Sequence, residues 1–105
     1  MQALTRFQSK VLRGLAHHLK PVVLVGQKGI SASLLQALQE ALATHELIKV
    51  KFVDFKDRRT KAQCVAEIER LTDSCLAGLI GHTAILYRPH PDPEKRKIVM
   101  PAKRT

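Results

Sequence analysis

A chain of 105 residues with 45% hydrophobic content has material for one domain around one modest core, and not for two. Eighteen Lys and Arg against nine Asp and Glu leave a formal charge of +9, an excess that favours a polyanion as partner. No run reaches the ~18 uninterrupted apolar residues of a spanning helix, and Met1 to Arg6 does not lead into a signal-peptide core, so the expectation is a cytoplasmic protein with no membrane partner.

From Leu4 to Leu19 the residues Leu4, Phe7, Val11 and Leu15 recur at steps of three or four and predict a helix that buries that face. Arg6, Lys10, Arg13 and His17 fall on the opposite face with no acidic residue among them. That stripe is either an ordinary solvated surface or a track for an anion. Lys20-Pro21 closes the helix, because the residue before proline avoids the helical region. Val22-Val23-Leu24-Val25 has no polar alternation and predicts a strand covered on both faces.

Gly26-Gln27-Lys28-Gly29 follows that strand. A Gly-x-x-Gly turn can be a plain strand-to-helix connection, or it can leave a gap that a phosphodiester chain occupies, with Lys28 adding a cation. Ser31 or Ser33 can cap the next helix, and Ser33 with Gln36 fits a capping box. The helix runs to about His45 with Leu34, Leu35, Leu38, Ala41 and Leu42 inward. Its N–H groups and the positive end of its dipole point toward the glycine turn.

Leu47 to Val53 is the second strand, with Ile48, Val50 and Phe52 on one face and Lys49 and Lys51 on the other. Strand, helix and strand with this crossover imply a parallel βαβ unit, which places the glycine turn at a strand's carboxyl end, where α/β sheets bind ligands. A third helix, capped by Asp57, carries Cys64, Val65, Ile68 and Leu71 inward. Arg58, Arg59 and Lys61 crowd its N-terminus, where cations oppose the dipole and are either a hint of a ligand or harmless charges on a flexible loop tip. Cys75 to Ile80 and Thr83 to Tyr87 form a hairpin around Gly81-His82, closed by Arg88. Pro89 to Pro93 reads as an exposed, extended linker, and Ile98 to Pro101 as an edge strand or a segment wrapping the core. Cys64 and Cys75 read as buried free thiols.

No constellation of a catalyst stands out. The carboxylates Asp54, Asp57, Glu67, Glu69 and Asp73 are scattered, and His17 and His18 diverge by about 100° on a helix, which argues against a metal nuclease. No helix-turn-helix pattern points to DNA. The expectation is no catalytic residue, no metal and no cofactor.

Leu15-Ala16-His17, Leu19-Lys20-Pro21-Val22-Val23, Gly26-Gln27-Lys28-Gly29, His45-Glu46-Leu47-Ile48-Lys49-Val50-Lys51, Gly81-His82-Thr83 and Leu86-Tyr87-Arg88-Pro89 together resemble the CRM domain family, the chloroplast RNA splicing and ribosome maturation module, and within it the stand-alone bacterial YhbY-like proteins. The resemblance covers about Leu4 to Pro101. It implies an α/β fold, a single α-β-α-β-α-β-β domain whose four-stranded mixed sheet packs against helices, similar to the carboxyl-terminal domain of translation initiation factor three. The domain is expected over residues 1–88, with 89–105 a Pro-rich linker and basic tail that can pack back on it.

The same resemblance implies an RNA-binding protein acting on 23S rRNA in large-subunit precursors, or else an RNA chaperone or intron-splicing module, while one compact basic domain without a catalytic constellation makes a monomeric non-enzyme the expectation. Gly26 and Gly29 would admit the RNA backbone with Gln27 and Lys28 between them, and Lys20, Arg6, Lys10, Arg13, Lys49, Lys51, Arg58, Arg59 and Arg88 would extend the positive track. Base stacking would fall to Phe55 or Tyr87.

Overall fold

The computed structural model describes residues 3–26, 28–54 and 57–101. Three helices, α1 (Arg6–Ala16), α2 (Ala32–His45) and α3 (Arg58–Thr72), alternate with four strands, β1 (Pro21–Val25), β2 (Leu47–Phe52), β3 (Cys75–Ile80) and β4 (Thr83–Tyr87). The strands lie in the order β1-β2-β4-β3, with β1 and β2 parallel and the other pairings antiparallel. The α-β-α-β-α-β-β order and the four-stranded mixed sheet are those that the family resemblance implies.

Period-two alternation in β2 divides the core in two. Ile48, Val50 and Phe52 join Val23, Val25, Leu38, Leu42, Val65, Ile68 and Leu86 beneath α2 and α3. Leu47 points the other way and packs with Leu12, Ala16, Ala77, Ile85 and Tyr87 beneath α1. Burial of these apolar side chains on both faces supplies the dominant stabilisation.

Two faces depart from expectation. In α1 the buried residues are Gln8, Leu12 and Ala16, while Leu15 is half exposed, so the helix is turned about one position from the Leu4-Phe7-Val11-Leu15 stripe. The reason is local and tertiary together. Thr5 caps α1, its hydroxyl accepting from the Gln8 N–H and the Gln8 side chain accepting from the Thr5 N–H, each at 3.1 Å, a capping box that commits Gln8 to the interior. The Gln8 amide then donates to the Pro101 carbonyl. The rotation also brings Arg13 off the expected outer stripe: its guanidinium donates to the Ala77 carbonyl at 3.0 Å, and its stem lies where a Cβ on Gly78 would be, 2.6 Å away.

The second departure is β1, predicted as covered on both faces. It is an edge strand, and α1 packs over β3, β4 and β2. Val23 and Val25 are buried beneath α2, but Val22 is 51% and Leu24 62% exposed.

The segment after β4 is not an extended linker throughout. Pro93–Lys95 form a 3₁₀ turn capped by Asp92, a place where proline costs no hydrogen bond. Ile98 and Met100 pack on the α1-side core, so this stretch wraps the fold and adds no strand within the described residues. Glu46 holds it there. It is 2% exposed, and its carboxylate accepts from the backbone N–H groups of His90, Lys97 and Ile98. Its own backbone, at φ 61, ends α2 and turns into β2.

Candidate functional site

Because β1 and β2 are parallel, the connections that follow them lie at one end of the sheet, and the β3–β4 turn joins them there. Gly26 and Gly29 close a tight turn through the Gly29 N–H and the Gly26 carbonyl at 3.1 Å. Gly29 has φ 82, a backbone that side chains rarely adopt, and a Cβ placed on either glycine would meet nothing within 4 Å. The notch is open. Lys28 is exposed beside it, and Gln27 lies outside the described residues.

Two residues on, α2 begins under Ser31, whose hydroxyl accepts from the Leu34 N–H. Ser33, the other candidate cap, lies inside the first turn, and Gln36 donates to Glu40, so the Ser33–Gln36 box does not form. The first-turn N–H groups of a helix have no intrahelical acceptor, and in α2 the Ser31 hydroxyl takes up that of Leu34.

The β2–α3 connection adds Arg58 and Arg59 at the same end, both exposed on the first turn of α3. Asp57 caps that helix as predicted, accepting from the Arg59 N–H and the Thr60 hydroxyl. Lys61 goes inward: 8% exposed, its ammonium donates to the Gly81 carbonyl at 2.7 Å and fixes the β3–β4 turn against α3. Lys51 is exposed on β2, and among the described residues Lys28, Lys51, Arg58 and Arg59 make no ion pair or side-chain hydrogen bond. Such unneutralised cations at one end of a sheet create a field that attracts a polyanion.

The remaining predicted residues divide into three groups. Arg6, Lys10 and Arg13 line one groove of about 480 Å³ between α1 and Ala77 of β3. Lys49 is half-buried, its ammonium 3.5 Å from the His17 carbonyl. Lys20 and Arg88 stand at the opposite end of the sheet, before β1 and after β4. Lys20 is exposed there. Arg88 is committed to the fold, donating to the Thr72 carbonyl at 2.9 Å and to both the side chain and the carbonyl of Gln39, so it ties α2 to the end of α3.

Of the two aromatics considered for stacking, Tyr87 is buried in the α1-side core, and Phe55 lies outside the described residues. Burial, with Glu46 nearby, pushes the Tyr87 phenol above its ordinary value. Cys75 is buried and Cys64 half-buried, neither is in a disulfide, and burial raises both thiols, which disfavours the reactive thiolate. Among the described residues no three His, Cys, Asp or Glu side chains gather as a metal site, and no helix is long and apolar enough to cross a membrane.

Sequence reading missed Glu46 as the anchor of the C-terminal segment.

A four-stranded mixed sheet with three helices, an open glycine turn and exposed cations at one end defines a class of small single-domain α/β modules. The chain belongs to the CRS1/YhbY (CRM) domain family, whose model matches residues 4–88. It is 44% identical to a Haemophilus influenzae protein named RNA-binding protein, over 98% of this chain and 100% of that one. It is 39% identical to a Pseudomonas aeruginosa protein named probable RNA-binding protein, over 89% and 88%. The solution structure of a Staphylococcus aureus protein put forward as RNA-binding superposes with a TM-score of 0.77 at 28% identity, covering 93% of this chain and 99% of that one.

Proposed function

We propose that the protein is a non-catalytic RNA-binding protein that helps assemble the large ribosomal subunit, acting as a monomer on 23S rRNA in precursor particles in the cytoplasm. The observation that carries the reading is the glycine turn: Gly26 and Gly29 present bare backbone to open space beside the start of α2, with Lys28 exposed between them. A ribose-phosphate strand can lie against the bare backbone of Gly26 and Gly29, and the helix N–H groups and Lys28 offset its charge. Arg58, Arg59 and Lys51 extend the attraction at the same end, and Arg6, Lys10 and Arg13 offer a second basic groove under α1. The names of the relatives support RNA as the ligand, and the resemblance to stand-alone bacterial members of the family supports the ribosomal role.

The test is a salt titration with structured ribosomal RNA, comparing the unaltered chain with Gly29→Asp and Lys28→Glu. Both variants should bind more weakly, and Lys28→Glu should flatten the dependence of log K on log salt by about one. Unchanged affinity and slope in both folded variants would remove the turn from the mechanism. The ribosomal step is checked by sedimentation of cell extracts: the protein should travel with large-subunit precursors and be absent from mature subunits.

A further inference from the structure

Strand register exposes a surface that the glycine turn alone does not describe. Leu24 of β1 pairs with Lys51 of β2, Lys51 with Thr83 of β4, and Thr83 with Ile80 of β3. Residues in register share a face, so these four form one rung across the whole sheet, about 14 Å wide at the usual strand spacing. That rung is on the α1 side, and α1 does not cover it. The next rung inward, Lys49 with Ile85 and Gly78, is where the Arg13 stem already lies. Leu24 is 62% and Ile80 64% exposed, Lys51 is exposed and Thr83 half-buried. The result is an open shelf with an apolar side chain at each edge and a cation between them. It begins two residues before Gly26.

We infer that this shelf receives the unpaired bases of a single-stranded RNA segment whose backbone passes the glycine turn, an inference that rests on the RNA reading above and adds the class of RNA. Charge selects the occupant: Lys51 in the floor, with Lys49 and Arg13 behind it in a chain of +9, favours a polyanion over a lipid tail or a second copy. Apolar edges select the form of that polyanion. A duplex turns its bases inward and presents phosphate and sugar, which gain nothing from Leu24 or Ile80. A splayed strand can lay base faces on aliphatic side chains while its phosphates reach Lys51 and the turn. With Tyr87 buried, Leu24 and Ile80 take the place that aromatics hold on other single-strand platforms.

The test uses the full chain, an oligouridine strand and a blunt-ended RNA duplex of equal length, each labelled for fluorescence anisotropy at fixed salt. The paired change Leu24→Thr with Ile80→Thr keeps charge and strand propensity while removing apolar area; circular dichroism checks the fold. The strand should bind about tenfold more weakly to this variant, with its salt slope unchanged and duplex affinity within about twofold of the starting value. Lys51→Gln should flatten the slope for the strand by about one. Unchanged strand affinity in the folded double variant, or an equal loss on strand and duplex, overturns the shelf and leaves the RNA reading standing. Binding of neither probe by the unaltered chain defeats both. Displacement of the strand by polyglutamate of matched charge, as effective as displacement by unlabelled oligouridine, would reassign the surface to an acidic protein.

Discussion

Arg88 and Glu46 at one end of the sheet, and Lys28, Lys51, Arg58 and Arg59 at the other, are charged residues put to opposite uses. At one end, Arg88 and Glu46 are both satisfied within the fold: the guanidinium bonds carbonyls of two helices, and the carboxylate gathers three backbone N–H groups of the C-terminal segment. At the other end, Lys28, Lys51, Arg58 and Arg59 have no such partners among the described residues, the glycine turn is open, and the sheet face is bare. A charge bonded internally stabilises; a charge left to solvent on a confined surface is available for a ligand. Composition alone does not separate these two uses.

The largest effect is expected at Glu46. Glu46→Ala strands three N–H groups and releases the covering segment, and it should lower stability by about 3 kcal/mol in a urea titration. A loss below about 1 kcal/mol would mean the segment docks through Ile98 and Met100 without the carboxylate. Arg88→Ala should cost about 2 kcal/mol by the same measurement, yet leave the salt dependence of RNA binding as it was. A changed slope would place Arg88 in the interface and erase the contrast between the ends.

At the open end the order of effects reverses. Gly29→Ala forces a Cβ into φ 82 at a cost of about 1 kcal/mol, with no steric contact to add to it. Arg58→Ala and Arg59→Ala should each raise stability by about 0.3 kcal/mol, since a cation is removed from a helix N-terminus, while each lowers the RNA salt slope by about one. Gain in stability with loss of binding from one substitution is the signature of residues kept for a ligand.

A pH series sharpens the same contrast. Cys75 and Tyr87 are cross-strand partners at the latched end, and burial raises both above their ordinary values. Their neutral forms are favoured in the fold, so the stability they contribute is complete below the unfolded values and is lost as pH climbs past about 8.5 for the thiol and about 10 for the phenol. The urea midpoint should fall over that range, and Cys75→Ala with Tyr87→Phe should flatten the fall. An alkaline loss that persists in the double variant would point to other groups.

Much of the architecture was readable from residues because it is local. The alternation of Ile48, Lys49, Val50, Lys51 and Phe52 gives a strand with two unlike faces. Asp57 before a helical run gives a cap, and Gly81-His82 between apolar runs gives a hairpin. The helix α1 was harder. Two overlapping apolar sets, one through Leu15 and one through Leu12 and Ala16, fit a period near 3.6, and the Thr5–Gln8 box with the close approach at Gly78 decides between them. The candidate site was readable as types at positions, glycines and cations, but not as a surface.

By itself the sequence determined the elements, their order, the parallel first pairing and the family, since these follow from short-range periodicity, turn chemistry and motif spacing. Strand order, and with it which strand lies at the edge, was settled only when the sheet closed in space. So was the sorting of cations into those that bond carbonyls, such as Arg88, and those that face solvent, such as Lys51. The physical reason is that burial and pairing depend on neighbours distant in the chain: Gly78 beneath Arg13, Lys97 against Glu46, and Leu24 in register with Lys51, Thr83 and Ile80.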